Sequence, residues 1–139
     1  MGFDRKYLIW ALSYAAIGIC LGIYMAASQN HSEFVAHAHI LLIGFVLSFA
    51  YGIIHKLWLS KPNRAIATVQ FAVHQAAAVT LSVGLFLLYG NMVSEARLGS
   101  ILGLGSSLVL LGALLMLYMV ITTRAVDVGQ DIGAIGSPR

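Results

Sequence analysis

Residues 34–55, FVAHAHILLIGFVLSFAYGIIH, contain no aspartate, glutamate, lysine or arginine. A run of this kind supplies the roughly 20 apolar residues that one helix needs to cross a hydrocarbon core. Three further stretches behave in the same way. After Asp4, Arg5 and Lys6 no charged residue appears until Glu33, and residues 65–94 and 98–123 are also free of charge. The composition agrees: of 139 residues, 60% are hydrophobic and 9% charged, with a mean hydropathy of +0.89. That is a membrane profile. The expected fold is an all-α membrane protein of four transmembrane helices, at 7–28, 35–59, 64–90 and 97–122. They form one domain over 1–139, with a polar, glycine-containing tail at 125–139 expected to be loosely held. The first run exceeds the roughly 7–15 apolar residues of a signal peptide and reads as a retained span.

Short connections make consecutive helices antiparallel, which favours an up-down-up-down bundle. Ser60-Lys61-Pro62-Asn63 is the turn between helices two and three, with Pro62 suited to the turn or the first helical position. Basic residues set the orientation. Arg5, Lys6, Lys56, Lys61, Arg64, Arg124 and Arg139 gather at one end, against Arg97 alone at the other. Both termini and the middle turn are therefore expected in the cytoplasm, in a bacterial-type inner membrane. Tyr7, Trp10 and Trp58 fall near that interface, where amphipathic rings settle. The pI of about 9.3 follows from this asymmetry and gives no reason to expect nucleic acid.

Small residues mark where backbones can approach, because lipid supplies no hydrophobic force between helices. Gly18 and Gly22 form one G-x-x-x-G pair, Gly99 and Gly103 another, and Gly44, Ser48 and Gly52 a stripe on helix two. Each stripe packs either inside one bundle or against another subunit. A four-helix chain has little interior for a large cofactor, which points to an oligomer. The lone Cys20 has no partner for an intrachain disulfide and is expected to pack.

The chemistry lies in the histidines. His37 and His39 point about 200° apart on a helix, towards opposite sides. Packing does not call for two imidazoles entering an apolar run, whereas a metal or haem on one or both flanks does. At 100° per residue, His37 shares a face with Gly44, Ser48 and His55, and His39 one with Ile43, Val46 and Ala50. His74 lies roughly 18 Å into helix three, near the membrane middle, where an ionisable side chain points to function. Gln70, one turn earlier, is placed to orient its second ring nitrogen. The alternative is a neutral His74 bonded to Ser48 or Tyr51 at similar depth. His55 reads as interfacial, and His31 as a loop residue that could add an outer metal site. His39 and His74 differ in depth by about 14 Å, so one haem between them in one chain fits poorly.

His37-Ala38-His39-Ile40-Leu41-Leu42-Ile43-Gly44-Phe45 resembles the H-x-H-x-x-x-x-G stretch in the catalytic subunit of haem–copper oxidases and nitric oxide reductases. In that family the two histidines ligate two haems from opposite helix faces, which the resemblance carries onto His37 and His39. The family subunit has three arcs of four helices, so a homotrimer of this chain would supply twelve. The paired histidines that complete the family's copper site are absent, so oxygen reduction by one chain is not implied. The expectation is a haem b-binding membrane cytochrome using His37, His39 and His74, for electron transfer or diatomic-gas binding. Its partners would be its own copies, the bilayer and an unknown electron donor, with copper as a second candidate cofactor. The alternatives are a copper, metal or haem-handling transporter, or a non-catalytic accessory or assembly subunit. Whether such a chain turns over a substrate, as an oxidoreductase would, is left open. No carboxylate lies within the helices to relay protons for a pump, and no nucleophile constellation or phosphate loop is present.

Overall fold

Charge and capping set the helix ends. The computed structural model describes residues 1–59 and 61–123, so Ser60 and the expected tail at 125–139 lie outside the described residues. Four helices are long and apolar enough to cross a membrane: α1 (Phe3–Ser28), α2 (Phe34–Leu57), α3 (Arg64–Tyr89) and α4 (Glu95–Thr122). The start of α1 precedes the expected position, because Asp4 sits in the first turn, where a carboxylate complements the helix dipole. The Asn63 side chain accepts from the backbone N–H of Ala65 at 2.9 Å and opens α3. Gln29 and Asn91 take left-handed backbone conformations, φ 55° and 57°, just beyond α1 and α3.

The bundle runs up-down-up-down. Tyr7, early in α1, packs with Tyr51 late in α2, Ala67 early in α3, and Met116 and Met119 late in α4. At the other end Ala36 of α2 packs with Leu81 and Leu85 of α3, with Leu102 of α4 against them. The distribution of polarity is inverted relative to a water-soluble bundle. Ser48, Gln70 and His74 are fully buried, while Leu12, Ile19, Ile23, Leu104, Leu117 and Ile121 are exposed. Apolar exteriors cost nothing in lipid, and polar side chains there must find partners inside.

Within α2, residues Ile40–Leu47 are wound as a π-helix. Its wider i→i+5 turns interrupt the 100° phase assumed from sequence, and such segments gather at functional sites. The phase shift shows in the contacts. His37, Gly44, Gly52 and His55 still meet α1, whereas Ser48 turns to α3. Three expectations are corrected here. Tyr7 is not an interfacial ring but a fully buried one, whereas Trp10 and Trp58 are exposed. His55, expected as an interfacial residue, is buried within the bundle at its basic end. Cys20 is exposed on the outside of the bundle.

The small stripes divide by their surroundings. A Cβ on Gly44 would stand 2.6 Å from the Tyr14 ring, and one on Gly18 2.5 Å from Leu41. On Gly99 or Gly103 it would meet nothing within 4 Å. Gly44→Ala should therefore destabilise the protein by about 1–3 kcal/mol, as overpacking does. Gly103→Ala should stay within about 0.5 kcal/mol of wild type or gain helix propensity. Unfolding in detergent checks both, and equal costs at the two sites would contradict the packing described.

Candidate functional site

A column of polar side chains runs through the buried middle of the bundle. Ser48 Oγ of α2 lies 2.8 Å from His74 Nε2 of α3. One helical turn before His74, Gln70 accepts a hydrogen bond from the Tyr7 hydroxyl and donates to the Gly112 carbonyl of α4 at 3.3 Å. One residue after His74, Gln75 accepts from the Tyr14 hydroxyl at 3.2 Å. The Tyr51 ring stands edge-on to His74 at 4.9 Å between centroids. His74 thus ties α2 to α3, while its neighbours tie α3 to α1 and α4. Gly112 faces His74 closely, and a Cβ there would lie 3.6 Å from the His74 Cβ, an ordinary van der Waals contact.

The column is incompletely satisfied. His74 Nδ1, the Tyr51 hydroxyl and Gln75 Nε2 are buried without a hydrogen-bond partner among the described residues. Gln70 makes no hydrogen bond to His74 among the described residues, and its amide instead joins Tyr7 to the Gly112 carbonyl. The alternative drawn from sequence, a His74 bonded to Ser48, describes what the structure contains.

His37 and His39 form a second arrangement near the opposite end of α2. His37 leans into α1, where its Nδ1 lies 2.9 Å from the Gly18 carbonyl oxygen. Gly22 admits the ring, since a Cβ there would stand 3.0 Å from His37 Cε1. His39 places its Nδ1 2.9 Å from the Val35 carbonyl of its own helix. A carbonyl oxygen can only accept, so in each ring Nδ1 carries the hydrogen and donates it. In the neutral imidazole Nε2 then keeps its lone pair. Metal-ligating histidines are oriented in this way, with the second nitrogen donating to a carbonyl or carboxylate. Both rings are half-buried, so these lone pairs are not sealed inside the bundle.

The structure does not gather the three sequence-predicted ligands at one point. Ser48, the partner of His74, follows His39 by two and a half turns, roughly 13 Å at helical rise. His31 is exposed in the loop. Among the described residues no group of three or more His, Cys, Asp or Glu side chains could hold a metal ion. A metal at His37 or His39 would therefore find no complete His, Cys, Asp or Glu ligand set among the described residues.

Glu33 was missed from sequence, where it reads as a loop residue. It is only 5% exposed, beside Gly90 at the end of α3, and its Oε2 has no hydrogen-bond partner. Its burial, at the start of α2 and outside the spans, raises its pKa. The π-helix and the Tyr7–Gln70 bond also carried no sequence signal, since each depends on how helices meet. Comparison with protein-family models, curated proteins and solved structures found no match to this chain.

Two outcomes follow from these contacts. Ser48→Ala should cost about 1–2 kcal/mol by removing the Oγ partner of His74. In a His74→Phe background the same change should cost close to nothing, and an equal cost in both backgrounds would refute the coupling. For Glu33 the folded state holds its proton more tightly than the unfolded chain does. Its contribution is therefore lost as pH rises from the ordinary carboxylate range through the raised value. Glu33→Gln should raise the melting temperature by a few degrees at neutral pH. That gain should vanish under acid, and a gain independent of pH would contradict the assignment.

Proposed function

We propose that this protein is a haem b-binding integral membrane cytochrome, serving electron transfer or the binding of a diatomic gas. The observation that carries this reading is the paired tautomer of the H-x-H sequence. Each Nδ1–H is spent on a backbone carbonyl, at Gly18 and Val35, leaving each Nε2 lone pair for a ligand. The π-helix that starts directly after His39 supports it, as such segments cluster where function has displaced regular packing.

The donor set fits a haem iron, and the chain's interior does not fit the macrocycle. Tyr7, Ser48, Gln70 and His74 fill the middle of the bundle without exposure. His37 and His39 would hold haem at the flanks of α2, each on its own side. When bound, the iron would supply reversible one-electron chemistry or an open position for a small gas, tuned by axial ligand and burial. This chain contributes the imidazole lone pairs, their fixed orientation, and an apolar wall that excludes water. A ligand role for His74 would use its Nδ1, or require Ser48 to release its Nε2.

A haem at the bundle surface needs covering, which supports an oligomer. We take a homotrimer as its form, with twelve helices. The concentration of basic residues supports an inner membrane with both termini in the cytoplasm. The electron donor would dock from outside this chain.

Absorption spectra test the reading on full-length protein purified from haem-replete cells. A Soret band that shifts on reduction is expected, eluting with a species larger than one chain. His37→Ala and His39→Ala should each lower haem occupancy roughly tenfold or more, with helicity unchanged by circular dichroism. His74→Phe should keep the band. Colourless protein overturns the proposal, and copper found in that colourless protein would favour the metal-handling alternative.

A further inference from the structure

At the end of the bundle opposite His37, the start of α1, the end of α2 and the start of α3 border a half-open cavity of about 660 Å³. That volume lies within the roughly 300–1,000 Å³ of small-molecule sites. Its charge is one-sided. Lys6, Lys61 and Arg64 line it against a single carboxylate, Asp4. Lys61 and Arg64 are exposed and free to reach a ligand, while the Lys6 ammonium rests 5.0 Å from the Phe3 ring centroid. The positive end of the α3 dipole, beginning at Arg64, adds to the same field.

His55 makes this more than a patch of surface lysines. It lines the cavity yet is only 7% exposed, clamped between Phe3 and Tyr7 at 5.4 and 5.6 Å with both interplanar angles 25°. Its Nε2 has no hydrogen-bond partner among the described residues. A buried ring nitrogen left unpaired is costly, and a ligand that shifts the ring's cover on entering the cavity would remove that cost. Lysine and arginine together at the cytoplasm-facing end of a membrane bundle suit phosphate oxygens. Arginine supplies a planar fork and lysine a point charge.

We propose that this cavity is an anion site for a phosphate group, engaged by Lys61, Arg64 and His55 and drawn from an anionic phospholipid headgroup or from free phosphate. The group seats between α1, α2 and α3, and so braces the end of the bundle from which the Tyr7–Gln70 bond starts.

The test is titration of the detergent-solubilised full chain at constant ionic strength, read by calorimetry. Three probes are used: short-chain phosphatidylglycerol, inorganic phosphate and short-chain phosphatidylcholine. Saturable binding of phosphatidylglycerol alone supports the site and assigns it to a lipid headgroup. Matching saturation by inorganic phosphate supports it and assigns a free anion. Lys61→Gln/Arg64→Gln should weaken whichever ligand binds by roughly tenfold or more. His55→Phe, which keeps an aromatic ring between Phe3 and Tyr7, should weaken it several-fold with helicity retained. The proposal is overturned by no saturable binding of either anion, by equal binding of phosphatidylcholine, or by wild-type affinity in either variant.

Discussion

In a bilayer no water reaches the middle of a bundle to satisfy a polar side chain, so each must be answered by another helix. His74 is the centre of that requirement here. Its bond to Ser48 fixes α2 against α3, and the Tyr7–Gln70 bond beside it fixes α1 against α3. Gln70 then reaches the Gly112 carbonyl of α4. Single interhelical hydrogen bonds in membranes are modest, on average about 0.6 kcal/mol. Their importance lies in register: a helix that slides or rotates leaves several polar atoms without partners at once.

The same constraint separates the two histidine systems. His74 is enclosed, with one nitrogen answered by Ser48 and the other by nothing. His37 and His39 are half-buried, each with Nδ1 answered by a carbonyl and Nε2 left over. The first arrangement holds a bundle together. The second resembles imidazoles prepared for a metal, and it sits where α2 changes from α to π winding. Gly18 and Gly22 belong to this second arrangement, since the close approach they permit is what brings the Gly18 carbonyl within reach of His37.

Much of the architecture was legible in the sequence because lipid imposes so coarse a code. Gaps between charged residues located all four spans, and their observed ends differ from the expected ones by at most a few residues. Helical rise and one turn position put Ser48 and Tyr51 level with His74 as alternative partners, and Ser48 makes the bond. Other features were not legible. The burial of Tyr7, His55 and Glu33 depends on which neighbours close over them. Tyr7 was placed at the interface because a tyrosine near a helix end is usually amphipathic, yet Gln70 gives its hydroxyl a partner indoors.

What the chain determined by itself is the number of spans, their alternating direction and the spacing of the imidazoles along them, because hydropathy, charge and a rise of about 1.5 Å per residue act locally. Tertiary structure decided which way each polar side chain turns. The π turns of Ile40–Leu47 break the phase that local periodicity predicts, and the carbonyls of Gly18 and Val35 choose which nitrogen of His37 and His39 holds the hydrogen. One of those carbonyls belongs to another helix and the other to a neighbouring turn, and a hydrogen bond takes its direction from where its partner stands.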